Sequence, residues 1–430
     1  MSSALLTDRY ELTMLDAALR DGTAQRRCVF ELFARRLPAG RRFGVVAGTG
    51  RLLEELAAFR FGPEELDWLA REGVVSDRTL EHLAAFRFTG TIRGYREGEA
   101  YFPGSPVLVV EGSFAEAVVL ETLALSVLNA DSAIASAAAR MVAAAGSRPL
   151  AEMGSRRTGE RSAPAAARAA WIAGFAASSN LEAGRRWGVP TMGTAAHAFT
   201  LLHDSEAEAF ASQVAALGPG TTLLVDTYDI EEGVRRAVDA AGPELGAVRI
   251  DSGDLDVVVR RVRAQLDALG ATGTRITVTN DLDEHAIAAL RSAPVDSYGV
   301  GTSLVTGSGA PTAGMVYKLV ARQTADGAWI DVAKTSTGKA TVGGRKQAVR
   351  VLRDGVAVAE EIHVDEPPVT ERAGRALLVD LVVDGEPVPG STGREGAAAA
   401  RGNHRAAMAE LPPAAFGLSR GEPAIPTRYV

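Results

Sequence analysis

Between residues 150 and 300 the chain alternates short apolar runs with helix-forming stretches, and this rhythm constrains the fold more than any other feature of the sequence. The spacing predicts strands over 150–153, 189–194, 222–226, 247–251, 276–280 and 297–300. It predicts intervening helices over 165–180, 206–216, 230–241, 255–269 and 283–291. Strands that alternate with helices form βα units, because two parallel neighbours need a long crossover between them. A parallel sheet is therefore expected, either open or closed into a barrel. The flanking segments follow other patterns. Thr7 and Asp8 can cap a first helix, with Glu11 three residues after Asp8. A strand over 29–37, helices over 51–59 and 63–72, and strand-like runs over 90–112 make the first hundred or so residues a mixed α and β unit. One or two long helices are predicted over 116–145. Beyond residue 318 the alternation stops, and short strands are predicted over 329–334, 347–352 and 376–383.

Bulk properties bound the function classes. A chain of 430 residues has room for two or three domains of roughly 100–200 residues each. The net charge of −7 gives no sign of a global nucleic-acid surface. Cys28 is the single cysteine, which excludes an internal disulfide and a cysteine-based zinc site and reads as a small buried apolar residue. Asp8, Arg9 and Glu11 interrupt any leader-like run, and no stretch nears the ~20 apolar residues of a membrane span. Ser136 and Arg140 mark the alanine-rich segment 133–145 as a helix of a soluble protein. The expected compartment is the cytoplasm, with neither nucleic acid nor membrane as partner.

In parallel α/β sheets, ligands sit at the carboxyl ends of the strands. Here those ends are unusually polar. They carry Gly154, Ser155, Arg156 and Arg157; then Gly193, Thr194 and His197; then Asp226 to Asp229. Next come Arg249, Asp251, Ser252 and Asp254, then Thr279, Asn280 and Asp281, and last Gly299, Gly301, Thr302 and Ser303. Any one such end reads equally well as a helix cap. Six in succession, with arginines and a histidine among them, point to one site. Arg156 and Arg249 offer planar forks for carboxylate or phosphate. Gly299 and Gly301, followed by Thr302, let backbone N–H groups approach a phosphate, with a tight turn as the plainer alternative. Asp226 and Asp251 suit ribose hydroxyls or a magnesium–diphosphate, with capping or arginine pairing as the alternative. His197 follows a strand end directly and can act as phosphoryl acceptor or proton donor. His82, His285 and His404 lie in charged helical contexts and are expected at the surface.

Six segments together resemble the nicotinate phosphoribosyltransferase family: LLTDRYELTM from Leu5, EMGSRRTGE from Glu152, GTAAHAF from Gly193, VDTYD from Val225, VRIDSGDL from Val248 and YGVGTSLVT from Tyr298. The resemblance covers nearly the whole chain. It implies the type II phosphoribosyltransferase fold, an irregular α/β barrel over 116–316 beside a mixed α+β domain built from 1–115 and 317–430. It implies a ligase-type reaction of NAD salvage: nicotinic acid and 5-phosphoribosyl 1-diphosphate give nicotinate mononucleotide and diphosphate, with ATP as co-substrate and Mg²⁺ required. It also implies a homodimer with shared active sites. His197 matches the histidine phosphorylated by ATP, and Tyr10 the tyrosine that stacks on the pyridine ring, usually of the neighbouring subunit's site. Thr194 and Arg249 match nicotinate-site positions, and Thr302 a phosphate-binding one. Arg156, Asp226 and Asp251 match the pocket of the wider family. Ser179 falls where nicotinamide-specific relatives carry an acid, which favours the acid substrate. Met153 and Gly159 depart from the family pattern, in which an aromatic residue and a histidine respectively are common. A phosphosugar aldolase on a barrel would need a Schiff-base lysine at a strand end, and no such lysine is present.

Overall fold

Six short runs of branched and small residues form one sheet in the computed structural model, which describes residues 3–334, 341–365 and 374–430. They are β1 (Leu150–Glu152), β2 (Ala177–Ser178), β3 (Thr222–Leu224), β4 (Ala247–Ile250), β5 (Arg275–Val278) and β6 (Ser297–Val300). All pairings are parallel, in the order β2-β1-β6-β5-β4-β3. The first long strand thus lies beside the last, as in a barrel. Among the described residues β2 and β3 remain edges, so the sheet is a curled half-barrel of an α/β fold. Val248, Ile250, Ile276, Val278 and Val300 are fully buried within it, as the covered faces of a parallel sheet require.

Two sequence expectations fail in this region. The strand expected over 189–194 shrinks to a single bridge, Ser178 to Thr191. Pro190 has no N–H to give to a ladder, and only its carbonyl is used, accepting from Ser178 at 2.9 Å. The helix expected over 165–180 ends at Ile172. Gly174 adopts φ 111°, a conformation that stops a helix and that few side chains tolerate. The chain then supplies β2 and a further helix, Leu181–Trp187, which Asn180 caps by accepting the Ala183 N–H at 2.9 Å.

The chain divides into two compact units, Ala137–Gly309 and a unit made of Met1–Ser136 with Ala310–Val430. The division falls inside the long helix Glu121–Ala145 rather than at 116. The reason is packing: Leu123, Ala124, Val127 and Leu128 share one buried core with Leu12, Leu15 and Phe30. This helix is long and apolar enough to cross a membrane by composition, but 72% of its most apolar window is buried inside the protein.

The two-ended unit contains a seven-stranded antiparallel sheet in which Arg27–Ala34 pairs with Leu108–Ser113 on one side and Met315–Gln323 on the other. Its first helix, Arg9–Asp21, begins at Asp8, yet the Asp8 side chain makes no cap bond. Glu11 is buried instead of closing a capping box; it accepts the Thr122 N–H at 2.8 Å and the Thr7 and Thr122 hydroxyls. Cys28 is buried as expected, and burial pushes its thiol up to about 11. His404 is buried rather than exposed, its Nδ1 3.3 Å from the Gly98 carbonyl.

A buried polar cluster ties this unit together. Arg350 donates through Nη2 to Glu360 Oε2 and to the Ala100 carbonyl, both at 2.9 Å. Glu360 Oε1 also accepts from Tyr95 at 2.6 Å and from Ser105. Arg350 and Glu360 are both fully buried. Removing the cation alone strands a buried carboxylate, which costs about 3–5 kcal/mol. Arg350→Leu is therefore expected to lower stability by about that amount in denaturant unfolding. A loss below about 1 kcal/mol would show that Glu360 is not held by this pair.

Candidate active site

The half-barrel brings most of the strand-end residues together. Arg249 is the last but one residue of β4, and its side chain crosses the carboxyl edge of the sheet. Nε donates to Thr279 Oγ1 at 3.1 Å, Nη1 to Thr194 Oγ1 at 3.2 Å and to the Ala195 carbonyl at 3.4 Å, and Nη2 to Asp251 Oδ2 at 3.4 Å. The fork is thereby held flat at the mouth of a cavity of about 240 Å³. Arg249, Arg156, Thr194, Ser179, Ser155 and Met153 line it, together with Met192 and the backbone of 193–196. Its lining residues include two arginines and three with hydroxyls, and no carboxylate among the described residues.

Beside the cavity lies a pair of aspartates. Asp251 Oδ1 accepts the Thr279 hydroxyl at 2.5 Å and the Asn280 N–H at 2.6 Å. Asn280 has φ 68°, the left-handed backbone that asparagine tolerates. Burial raises the Asp251 carboxyl, but these donors, Arg249 and the nearby His197 outweigh it and hold the group below its ordinary value. Asp226 Oδ2 accepts the Asp251 N–H and the Ser252 hydroxyl, each at 2.7 Å. Its Oδ1 is buried and has no hydrogen-bond partner among the described residues. His197 opens the helix His197–Leu202, with Nδ1 3.1 Å from Thr227 Oγ1.

The glycines of the last strand divide in role. Gly299 lies inside β6, where an added Cβ would stand 2.6 Å from Thr279 Cγ2 and 2.7 Å from Met153 Sδ. Its absent side chain makes room for packing. Gly301 instead follows the strand and leads into the short helix Thr302–Val305, with Thr302 exposed. Tyr10 is not one of these strand-end residues. It belongs to the two-ended unit, on the helix Arg9–Asp21, and is 45% exposed with its hydroxyl bonded to Glu121.

Sequence reading missed three residues that organise the site. Glu152 is fully buried at the end of β1 and accepts the Ser178 hydroxyl at 2.5 Å and the Gly154 N–H. Its own carbonyl accepts the Ser179 N–H at 2.8 Å, so one residue anchors both walls of the cavity. Burial pushes its carboxyl up, and the Ser178 and Gly154 donors oppose that. Thr227 and Thr279 were visible only as polar strand ends, and their partners depend on which strands become neighbours. A larger hollow of about 870 Å³ lies in the other unit, lined by Trp68, Leu5, Leu12, Leu69 and charges of both signs.

Known proteins resemble this chain in sequence and fold. Residues 5–129 match the nicotinate phosphoribosyltransferase N-terminal domain. Nicotinate phosphoribosyltransferase pncB1 of Mycobacterium tuberculosis is 60% identical over 438 residues, covering 100% of this chain and 95% of that protein. The nicotinate phosphoribosyltransferase of Bacillus subtilis is 38% identical over 82% of this chain and 74% of its own length. Among solved structures, human nicotinic acid phosphoribosyltransferase superposes with a TM-score of 0.78 at 26% identity, over 97% of this chain and 96% of that one. With a full-length relative at this identity and the strand-end residues gathered on one sheet edge, the chain belongs to the nicotinate phosphoribosyltransferase family.

Proposed function

We propose that this chain condenses nicotinic acid with 5-phosphoribosyl 1-diphosphate to nicotinate mononucleotide and diphosphate, in NAD salvage, with ATP hydrolysed through a phosphohistidine at His197. The cavity lining carries the reading of the base: Arg249 beside Thr194 and Ser179, with no carboxylate among the described lining residues, suits a small planar acid. Arg249 and Thr194 take the carboxylate, and Ser179 donates to it. The pyridine nitrogen attacks the anomeric carbon as the bond to the diphosphate oxygen breaks, and the bonding pair leaves with the diphosphate. No proton has to move. The reaction therefore asks for positioning and for donors on the leaving group rather than for an acid–base pair. Arg156, the backbone at Gly301 and Thr302 serve the phosphates, and Asp251 the ribose hydroxyls.

Among the described residues no group of three or more His, Cys, Asp or Glu forms a metal site of its own. The unpartnered Oδ1 of Asp226 fits a magnesium ion that arrives on the substrate diphosphate. When bound there, magnesium neutralises charge that develops on the leaving group. His197 faces Asp251, and Thr227 engages its Nδ1, so the imidazole is oriented before ATP binds. In the coupled step the bond from the γ-phosphorus of ATP to its bridging oxygen breaks as a nitrogen–phosphorus bond forms, ADP leaves, and water later cleaves the phosphoramidate. Tyr10 is proposed to cover the pyridine ring in the site of a second subunit of a homodimer. Its ring is exposed on a helix that also exposes Met14, with Leu6 just ahead. The compartment proposed is the cytoplasm.

Three outcomes test this. Nicotinate should be used more efficiently than nicotinamide by at least about fivefold in kcat/KM, since a charge-assisted bond to Arg249 is lost with the amide; equal efficiency would remove the basis for the carboxylate site. His197→Ala and His197→Asn should lose the acid-labile, base-stable label from γ-labelled ATP and the nicotinate-dependent ATP hydrolysis, while keeping slow ATP-independent synthesis. Label at the wild-type level in either variant would move the phosphoryl acceptor elsewhere. Finally, Tyr10→Ala and Asp251→Ala subunits, each inactive alone, should regain activity when mixed and allowed to exchange, because one site of the mixed dimer keeps both residues. No recovery despite proven exchange would place Tyr10 outside the partner's site.

A further inference from the structure

Thr279 occupies a place that the reaction chemistry alone does not assign. It follows β5, and its N–H donates to the Ile250 carbonyl at 2.9 Å, so the sheet sets its backbone. Its side chain is buried, with 4% of the residue exposed. The methyl group packs toward Gly299, where an added Cβ would come within 2.6 Å. That contact leaves the hydroxyl facing the other way, between two charged groups. Oγ1 accepts from Arg249 Nε at 3.1 Å and donates to Asp251 Oδ1 at 2.5 Å.

We propose that Thr279 is a positioning residue for the base: its hydroxyl locks the guanidinium plane of Arg249 by taking Nε, and so aims the Nη edge at the cavity. This rests on the reading above that Arg249 takes the pyridine carboxylate. A guanidinium recognises a carboxylate through a planar two-pronged edge, and rotation about its long axis spoils both prongs at once. Thr194 and Asp251 touch only the Nη atoms, at 3.2 and 3.4 Å. Thr279 is the partner of Nε, the atom that sets the plane. Asp251 depends on Thr279 less, because Asp251 Oδ1 keeps the Asn280 N–H at 2.6 Å. Losing the hydroxyl should therefore disturb the base site more than the ribose phosphate site.

Thr279→Val preserves shape and removes the hydroxyl, and Thr279→Ser restores it. With steady-state synthesis of the mononucleotide as the assay, Thr279→Val is expected to raise KM for nicotinate about tenfold or more, the cost of a lost charge-assisted bond. It should leave kcat and the KM for phosphoribosyl diphosphate within about threefold of the parent, an effect below the ~1 kcal/mol of one ordinary hydrogen bond. Thr279→Ser is expected to recover most of the loss. Thr279→Ala reads the same way should the valine variant not fold. An unchanged KM for nicotinate in Thr279→Val, a fall in kcat alone, or a serine variant as impaired as the valine one would overturn the proposal. Arg249→Ala, run beside them, separates the two readings. A large rise in its KM for nicotinate with none in Thr279→Val sinks the positioning role alone. No rise in Arg249→Ala sinks the carboxylate assignment, and the positioning role with it.

Discussion

Arg249 is the constraint around which the site is arranged. Its side chain is 12% exposed, so the charge is largely withdrawn from water and has to be met by fixed partners. Those partners come from three separate segments: Thr194 and Ala195 from the loop before the helix His197–Leu202, Asp251 from just after β4, and Thr279 from just after β5. None of them neutralises it closely, since among the described residues its ion pair is a 3.4 Å contact to Asp251. The guanidinium is therefore oriented more by hydrogen bonds than by close ion pairing. Asp251 is in turn held by Thr279 and Asn280 through Oδ1 and braces Asp226 through its own N–H. One arginine thus links the cavity to the aspartate pair.

The parallel sheet makes these contacts cheap to build. Arg249 and Thr279 sit on neighbouring strands, at ends that parallel register brings level, with Thr277 opposite Arg249 and Val278 opposite Ile250. In an antiparallel arrangement the same residues would fall at opposite edges of the sheet. Glu152 does comparable work at the far side of the cavity, where β1 and β2 run in register from Ala151–Ala177 to Glu152–Ser178. Its buried carboxylate joins the turn that carries Arg156 to the one that carries Ser179.

Much of this was legible in the sequence, and the failures have definite causes. Five of the six expected strands of the half-barrel exist, because apolar runs bounded by glycine and polar residues have few other options. The sixth failed at Pro190, and β2 was hidden in an alanine-rich stretch whose helix preference ends only where Gly174 takes a positive φ. Arg249, Thr194 and Arg156 could be named because strand ends point one way, whereas Ser179, which the pattern put inside a helix, was legible only through the family resemblance. Thr279 could not be raised above a polar strand end, since its role comes from which strands lie side by side and from Gly299 receiving its methyl group. Gly299 itself was legible as a glycine that mattered, but its place inside β6 makes packing the reason. Glu11 shows the same limit at the chain start: the capping-box spacing was present, yet burial against Thr122 claimed the carboxylate.

The geometry of nicotinate in the cavity bears most directly on all of this, and a crystal structure of the nicotinate complex measures it. The expected result is a pyridine carboxylate within hydrogen-bond distance of the Arg249 Nη edge and of Thr194 Oγ1, with the ring beside Met153 and its nitrogen directed toward Asp251. A carboxylate bound to Arg156 instead, or a ring seated outside the cavity with Arg249 still closed on Asp251, would contradict the account.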